Sequence, residues 1–335
     1  MSMFKRILNT AVFAIFLFQF HGYTHAQTSK KTVTIAYQTT FSPWIDAMAT
    51  KALEKKTGYE INWRKFNSGA DIIAAMASGN IDLGVLGSSP LAVALSSGID
   101  IKLFWILEDI ADAEGLIVRN AANIHKPEDL IGKTIAVPTA STSQFQLMYA
   151  LKKWGIADKV NVINLSPEQA AAAWELGNID GAFIWGPSLS AIRKTGHTLV
   201  SAGEICKLGR CTFEGLTATD KFASGHAAFL KSFVQIIDAS NQDFLQHPEK
   251  WDAKSKHVEN IAKTLGGTPK DVLDTITLYK YPSMKEQASC EWLGCGDQGG
   301  ATKTLKYTAE FLKQQKSISK VLPSYANGVT PAFVQ

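Results

Sequence analysis

Short apolar, β-branched runs alternate along this chain with longer stretches in which apolar residues recur every three or four positions. The first kind reads as buried strand and the second as amphipathic helix. Thr32 to Tyr37 reads as a strand, Trp44 to Lys56 as a helix stopped by Gly58, and Tyr59 to Phe66 as the next strand. Ser68, with an acid at Asp71, opens a helix in capping-box fashion. Ile72, Ile73 and Met76 form its buried stripe, and Gly79 ends it. Ile81 to Leu86 and Ile101 to Leu107 read as further strands. Strand and helix in alternation describe a parallel α/β unit with right-handed crossovers.

The same grammar returns later. Lys133 to Val137 reads as a strand, Gln144 to Trp154 as a helix closed by Gly155, and Val160 to Leu165 as a strand. Ser166-Pro167-Glu168-Gln169 is a capping box with proline at the first helical position, and the Ala-rich helix behind it reaches Gly177. Two segments echo each other. Gly79-Asn80-Ile81-Asp82 and Gly177-Asn178-Ile179-Asp180 each lead into a short apolar run that ends in a Gly/Ser/Pro turn. The echo predicts two similar α/β lobes facing across a cleft, with ligand beyond the carboxyl ends of the strands. Gly115 to Val118 reads as the crossing into the second lobe and Thr217 to Lys221 as the return. Lobe one is thus expected from residues 27–117 and 221–335, and lobe two from 118–220; beyond Phe222 the chain reads mainly as amphipathic helices. Two crossings imply a hinge that opens and closes around a ligand.

The first 26 residues stand apart. Lys5-Arg6, the uncharged apolar run Ile7 to Phe20, and the small-x-small site Thr24-His25-Ala26 follow the order of a cleavable secretory signal peptide, with cleavage before Gln27. An uncleaved anchor is the alternative, but the run is shorter than the roughly 20 residues of a membrane span. The formal net charge is +4, or +2 without Lys5 and Arg6, and no basic stripe suggests nucleic acid. The four cysteines form two equally spaced pairs, Cys206 with Cys211 and Cys290 with Cys295. An exported chain favours disulfides over a zinc site, and local pairing is the simplest of three connectivities.

The 335-residue sequence holds no Gly-x-Ser-x-Gly elbow, phosphate-binding P-loop or His-Glu-x-x-His helix, and its histidines are scattered. No enzyme activity, cofactor or metal is expected. What recurs is a polar turn between a strand and a helix: Gly87-Ser88-Ser89-Pro90, Ser141-Thr142-Ser143 and Gly186-Pro187-Ser188. Each could be plain capping. Three at the strand ends of facing lobes could also bind an anion through free N–H groups and hydroxyls. Trp185 stands just before one of these turns. Carboxylates in the same region are Glu108 and Glu114, in an acidic stretch that reads as a solvated loop, and Glu214, in a segment that reads as a strand. A buried carboxylate needs a partner, and a ligand ammonium would serve.

Several stretches resemble one family. Ala36-Tyr37-Gln38-Thr39, Trp63 to Ala70, Leu86 to Ala94, Lys126 to Lys133, Lys153-Trp154-Gly155-Ile156, Ala172-Ala173-Trp174 and Ile179 to Ala182 are similar to the taurine-binding periplasmic proteins of bacterial ABC importers, within the aliphatic sulfonate, nitrate and taurine substrate-binding family. The resemblance implies a monomeric, two-lobe periplasmic binding protein of type II that delivers a small sulfonate to a membrane permease and its ATPase. It implies Gln38, Ser88, Ser89, Ser141 and Thr142 as sulfonate-side donors. Glu214 falls where the family has an aspartate for the ammonium, which is a departure. The loop Cys206 to Cys211 also differs, and Tyr281 to Gly300 has no counterpart. Receptors for an alkanesulfonate without an amine, for nitrate or for a pyrimidine are the competing readings. Thiamine-pyrimidine synthases share the fold but are intracellular enzymes.

Overall fold

A computed structural model describes residues 31–334. The expected leader, residues 1–26, lies outside the described residues. Among those described, no helix is long and apolar enough to cross a membrane.

Among the described residues, ten strands form two sheets of five. The first sheet holds β1 (Thr32–Tyr37), β2 (Glu60–Lys65), β3 (Leu83–Gly87), β4 (Ile101–Asp109) and β10 (Phe213–Thr219), in the order β2-β1-β3-β10-β4. The second holds β5 (Gly115–Arg119), β6 (Thr134–Val137), β7 (Asn161–Asn164), β8 (Gly181–Ile184) and β9 (Gly196–Ser201), in the order β7-β6-β8-β5-β9. In each sheet three strands run parallel, and one antiparallel strand is inserted next to them. The lobes therefore share a topology, as the echo predicts.

The echo has a physical cause. Asp82 Oδ2 accepts the backbone N–H of Thr34 at 2.9 Å, and Asp180 Oδ2 accepts that of Thr134 at 2.9 Å. The backbone N–H of each aspartate also donates to the same residue's carbonyl, at 3.0 and 2.9 Å. Each aspartate thus lengthens the ladder between its lobe's two central parallel strands. The preceding glycines, Gly79 and Gly177, hold φ of +76° and +75° at the helix C-termini, which a glycine adopts without steric cost.

The crossings fall earlier than the sequence reading places them. Gly115 to Val118 is not a connector but most of β5, paired on both sides with β8 and β9. Thr217 likewise lies inside β10, between β3 and β4. The apolar character of both segments explains this. A buried backbone must pair its N–H and C=O groups, and a central strand does so. The connections proper are residues 110–114 and 202–212. The helix expected from Trp44 to Lys56 is two helices, Trp44–Ala49 and Ala52–Thr57, split where Lys51 turns left-handed. Thr50 Oγ1 donates to the Asp46 carbonyl at 2.9 Å and helps close the first.

The C-terminal helices complete lobe one. Phe229 and Phe233, on the helix Ala227–Gln246, pack against Tyr59 and Trp44 respectively, and Phe233 also meets Trp63. Strand β4 forms an edge, and three later segments cover it. Val329 and Thr330 pair with Leu103, the Gln287 side chain bonds both backbone groups of Ile106, and Lys280 bridges Asp109. Both cysteine pairs form the local disulfides, Cys206–Cys211 and Cys290–Cys295.

Candidate functional site

The parallel strands of both lobes end at one cleft. Beyond β1 lie Gln38 and Thr40; beyond β3, Gly87 and Pro90; beyond β6, Ser141 and Thr142; beyond β8, Trp185. Gly69, Ile110, Glu114, Glu214 and Tyr279 complete the wall. The space these residues enclose is small, about 20 Å³, little more than room for one water.

Three helices begin here: Ser88–Ser96, Thr142–Lys153 and Gly186–Arg193. A helix start leaves its first N–H groups without intrahelical acceptors. The Ser141 cap takes only that of Gln144, at 3.0 Å. The lobes meet tightly around these starts. A Cβ on Gly87 would stand 2.8 Å from Thr142 Cγ2, and one on Gly186 would stand 2.1 Å from the Thr39 carbonyl oxygen. Gly186 also holds φ of +64°, so both space and backbone require glycine there. Across the cleft mouth Glu168 faces Thr39 Oγ1 at 3.4 Å and Lys65 Nζ at 3.7 Å.

Of the candidates named from sequence, Gln38, Ser141, Thr142, Trp185 and Glu214 line the cleft. The Gln38 amide donates to the Val85 carbonyl at 3.4 Å. The Ser141 hydroxyl donates to the Pro138 carbonyl at 2.7 Å, so it has no proton left for a ligand. Ser88 and Ser89 are fully buried, and their hydroxyls find no partner among the described residues. They sit behind the wall that Gly87 and Pro90 present.

The acidic stretch is not a solvated loop. Glu108 is 0% exposed, Glu114 5% and Glu214 8%. Glu108 is in β4 directly opposite Glu214 in β10, so cross-strand register sets two carboxyls side by side. Glu108 lies behind the wall, and neither of its oxygens finds a hydrogen-bond partner among the described residues. Burial, then the neighbouring Glu214, holds its pKa well above the usual carboxylate range. Burial lifts Glu214 to about 7, against the Thr40 hydroxyl. Glu114, at the end of the first connection, is hydrogen-bonded to Thr142 Oγ1, at 2.8 and 3.0 Å from its two oxygens, and to Ser143 Oγ at 2.9 Å. Burial lifts it to about 8; the two hydroxyls oppose the rise and Glu214 adds to it. Among the described residues, no lysine, arginine, histidine or cysteine lines the cleft.

Sequence reasoning missed Thr40, Gly69, Ile110 and Tyr279 among the wall residues, and it discounted Glu114. Segment 278–280 is laid against 109–112 by backbone bonds, Asp109 with Lys280 in both directions and Asp112 N–H to the Leu278 carbonyl at 3.2 Å. Nothing local to Tyr279 signals that pairing. The scattered histidines serve the structure: His197 contacts Asn120 and the Ile124 carbonyl, His226 contacts Tyr59, and His257 contacts Asp46. No cluster of metal-ligating side chains occurs among the described residues.

Two α/β lobes, two connections and a polar cleft at the strand ends define the two-lobe periplasmic binding-protein fold. The NMT1/THI5-like family profile matches residues 55–251. Similar proteins include the taurine-binding periplasmic protein of Escherichia coli (strain K12), 36% identical over 90% of this chain and 92% of that one. A putative aliphatic sulfonates-binding protein of Bacillus subtilis (strain 168) is 31% identical over 70% of this chain and 74% of its own. Among solved structures, the alkanesulfonate-binding protein SsuA from Xanthomonas axonopodis pv. citri, bound to MOPS, superposes with a TM-score of 0.72 over 91% of this chain and 98% of that one, at 23% identity. The chain belongs to the NMT1/THI5-like family, and these relatives are binding proteins.

Proposed function

We propose that this chain is the periplasmic receptor of an ABC importer and that it binds taurine or a closely related small aminosulfonate. One observation carries the reading. Among the described residues, the cleft sets helix starts, with no cationic side chain, opposite buried carboxyls. That arrangement complements a small zwitterion. The sulfonate lies at the helix starts near Gly87 and Thr142, supported by Gln38, by the backbone N–H groups of Ser88 and Ser89 and by those that follow Ser141. The ammonium meets Glu214, with Glu108 behind it and Trp185 and Tyr279 around the carbon chain. Residues 1–26 act as a cleaved export signal. The chain acts as a monomer, without catalysis or cofactor, hinging at 110–114 and 202–212 to present its closed form to a permease and ATPase. The similar E. coli protein is a taurine-binding one, which supports the same class. Nitrate or an amine-free alkanesulfonate would leave Glu214 unpaired, which disfavours both.

Titration calorimetry on wild type and Glu214→Gln, with taurine and with ethanesulfonate, tests this. Loss of a charge-assisted bond, worth roughly 1.5–3 kcal/mol, should weaken taurine by about ten- to a hundredfold. Ethanesulfonate has no amine and should change much less. Equal weakening of both ligands would show that Glu214 supports the fold rather than the amine.

A further inference from the structure

We infer that Glu114 is a positioning residue that works as a neutral carboxyl: it donates its proton to Thr142 Oγ1 and so turns the Thr142 hydroxyl into a donor for the ligand's oxyanion. This rests on the sulfonate placement proposed above and adds a residue that placement does not use.

The hydroxyl geometry carries the argument. Thr142 Oγ1 lies 2.8 Å from Glu114 Oε1, and Ser143 Oγ lies 2.9 Å from Oε2. A hydroxyl has one proton and two lone pairs. Were Glu114 ionised, both hydroxyls would point their protons at it. Thr142 would then show the cleft only lone pairs, with a carboxylate just behind them, and a sulfonate would be repelled. With the proton on Oε1, every position has a role. Oε1–H donates to Thr142 Oγ1, Ser143 Oγ–H donates to Oε2, and Thr142 Oγ1–H is free to donate into the cleft.

The surroundings favour the neutral form. Glu114 is 5% exposed. The titratable groups that act on it or feel its charge are Glu214 from β10 and Tyr279 from the segment against the first connection. Asp112, on its own connection, takes the Ser201 hydroxyl at 2.6 Å, and Glu108 stands behind Glu214. None of these is a cation. Burial lifts its pKa to about 8, against about 7 for Glu214. The two carboxyls therefore divide the work: one stays neutral at the oxyanion end while the other is free to ionise at the cation end.

The test uses ethanesulfonate, whose lack of an amine removes the cation end, titrated from about pH 6 to about pH 9.5 into wild type, Glu114→Gln and Glu114→Ala. Binding to wild type should weaken by about tenfold per pH unit once Glu114 ionises. In Glu114→Gln the amide Nε2 can donate to Thr142 Oγ1 while the amide oxygen accepts from Ser143. That variant should bind within about threefold of wild type near pH 6.5 and lack the step near pH 8. Glu114→Ala, with no donor, should bind weakly throughout. Ionisation of Glu214 affects all three proteins, so the difference between profiles isolates Glu114. A wild-type profile that is flat across pH 8, a step that persists in Glu114→Gln, or weak binding by a folded Glu114→Gln would each overturn the assignment. No binding of taurine to wild type, titrated alongside, would overturn the functional reading itself and this inference with it, whereas taurine binding with no ethanesulfonate binding even near pH 6 would overturn this inference alone.

Discussion

Gly87 offers a direct test of closure. Its φ of −65° and ψ of 158° suit any residue, so alanine costs the local backbone nothing. The obstacle is the other lobe. A Cβ at this position would stand 2.8 Å from Thr142 Cγ2, whereas carbon atoms in good contact stand about 3.5–4.0 Å apart. Thr142 cannot easily swing away, because its hydroxyl is fixed on Glu114 at 2.8 Å. The lobes of Gly87→Ala must therefore part by about 1 Å at this point. A donor set at about 2.8 Å from a ligand oxygen would then be near 3.8 Å, which is no longer a hydrogen bond. One bond to a charged group is worth roughly 1.5–3 kcal/mol, so taurine should bind about ten- to a hundredfold more weakly. Calorimetry gives the affinity, and small-angle scattering shows whether ligand still contracts the molecule. The melting temperature of the ligand-free protein should stay unchanged. Adding Thr142→Ser, which removes Cγ2 but keeps the hydroxyl, should restore binding. Wild-type affinity in Gly87→Ala would refute the claim that this contact governs closure.

Other outcomes follow from the same geometry. The raised pKa values of Glu108, Glu114 and Glu214 mean that the folded chain holds more protons than the unfolded chain from about pH 4.5 up to about 7 for Glu214 and 8 for Glu114. Ligand-free protein should therefore gain stability as pH falls through that window, by about 1.4 kcal/mol per pH unit for each such group. Urea melts at the two ends would show it, and an equal gain in Glu114→Gln would exclude Glu114 as a contributor. Gln287→Leu leaves both backbone groups of Ile106 without the side chain that now bonds them. That should cost about 2–5 kcal/mol, and a loss under about 1 kcal/mol would show that the β4 edge is not braced there. Non-reducing peptide mapping of protein recovered from the periplasm should find Cys206 joined to Cys211 and Cys290 to Cys295. Free thiols or crossed pairs would contradict both loops.

Local signals carried far in this sequence. The Ser68 and Ser166 caps, the glycine stops and the alternation of strand and helix depend on residues a few positions apart, so they are legible in one dimension. The repeated Gly-Asn-Ile-Asp also announced two lobes, although only the sheets reveal its purpose, with Asp82 and Asp180 each lengthening a ladder. The cleft was half legible. Gln38, Thr142 and Trp185 follow strands, and the strand ends of an α/β sheet are where ligands sit. The carboxyls were not legible in that way. Glu108, Glu114 and Asp112 share one polar stretch, and nothing local says that the first lies opposite Glu214 or that the second reaches Thr142. Burial and pKa are set by what packs alongside, and here the neighbours come from β10, from the helix after β6 and from the segment carrying Tyr279. The same reason moved both crossings. An apolar run looks alike as a connector or as a central strand until its hydrogen-bond partners are known, and those partners lie in distant parts of the chain.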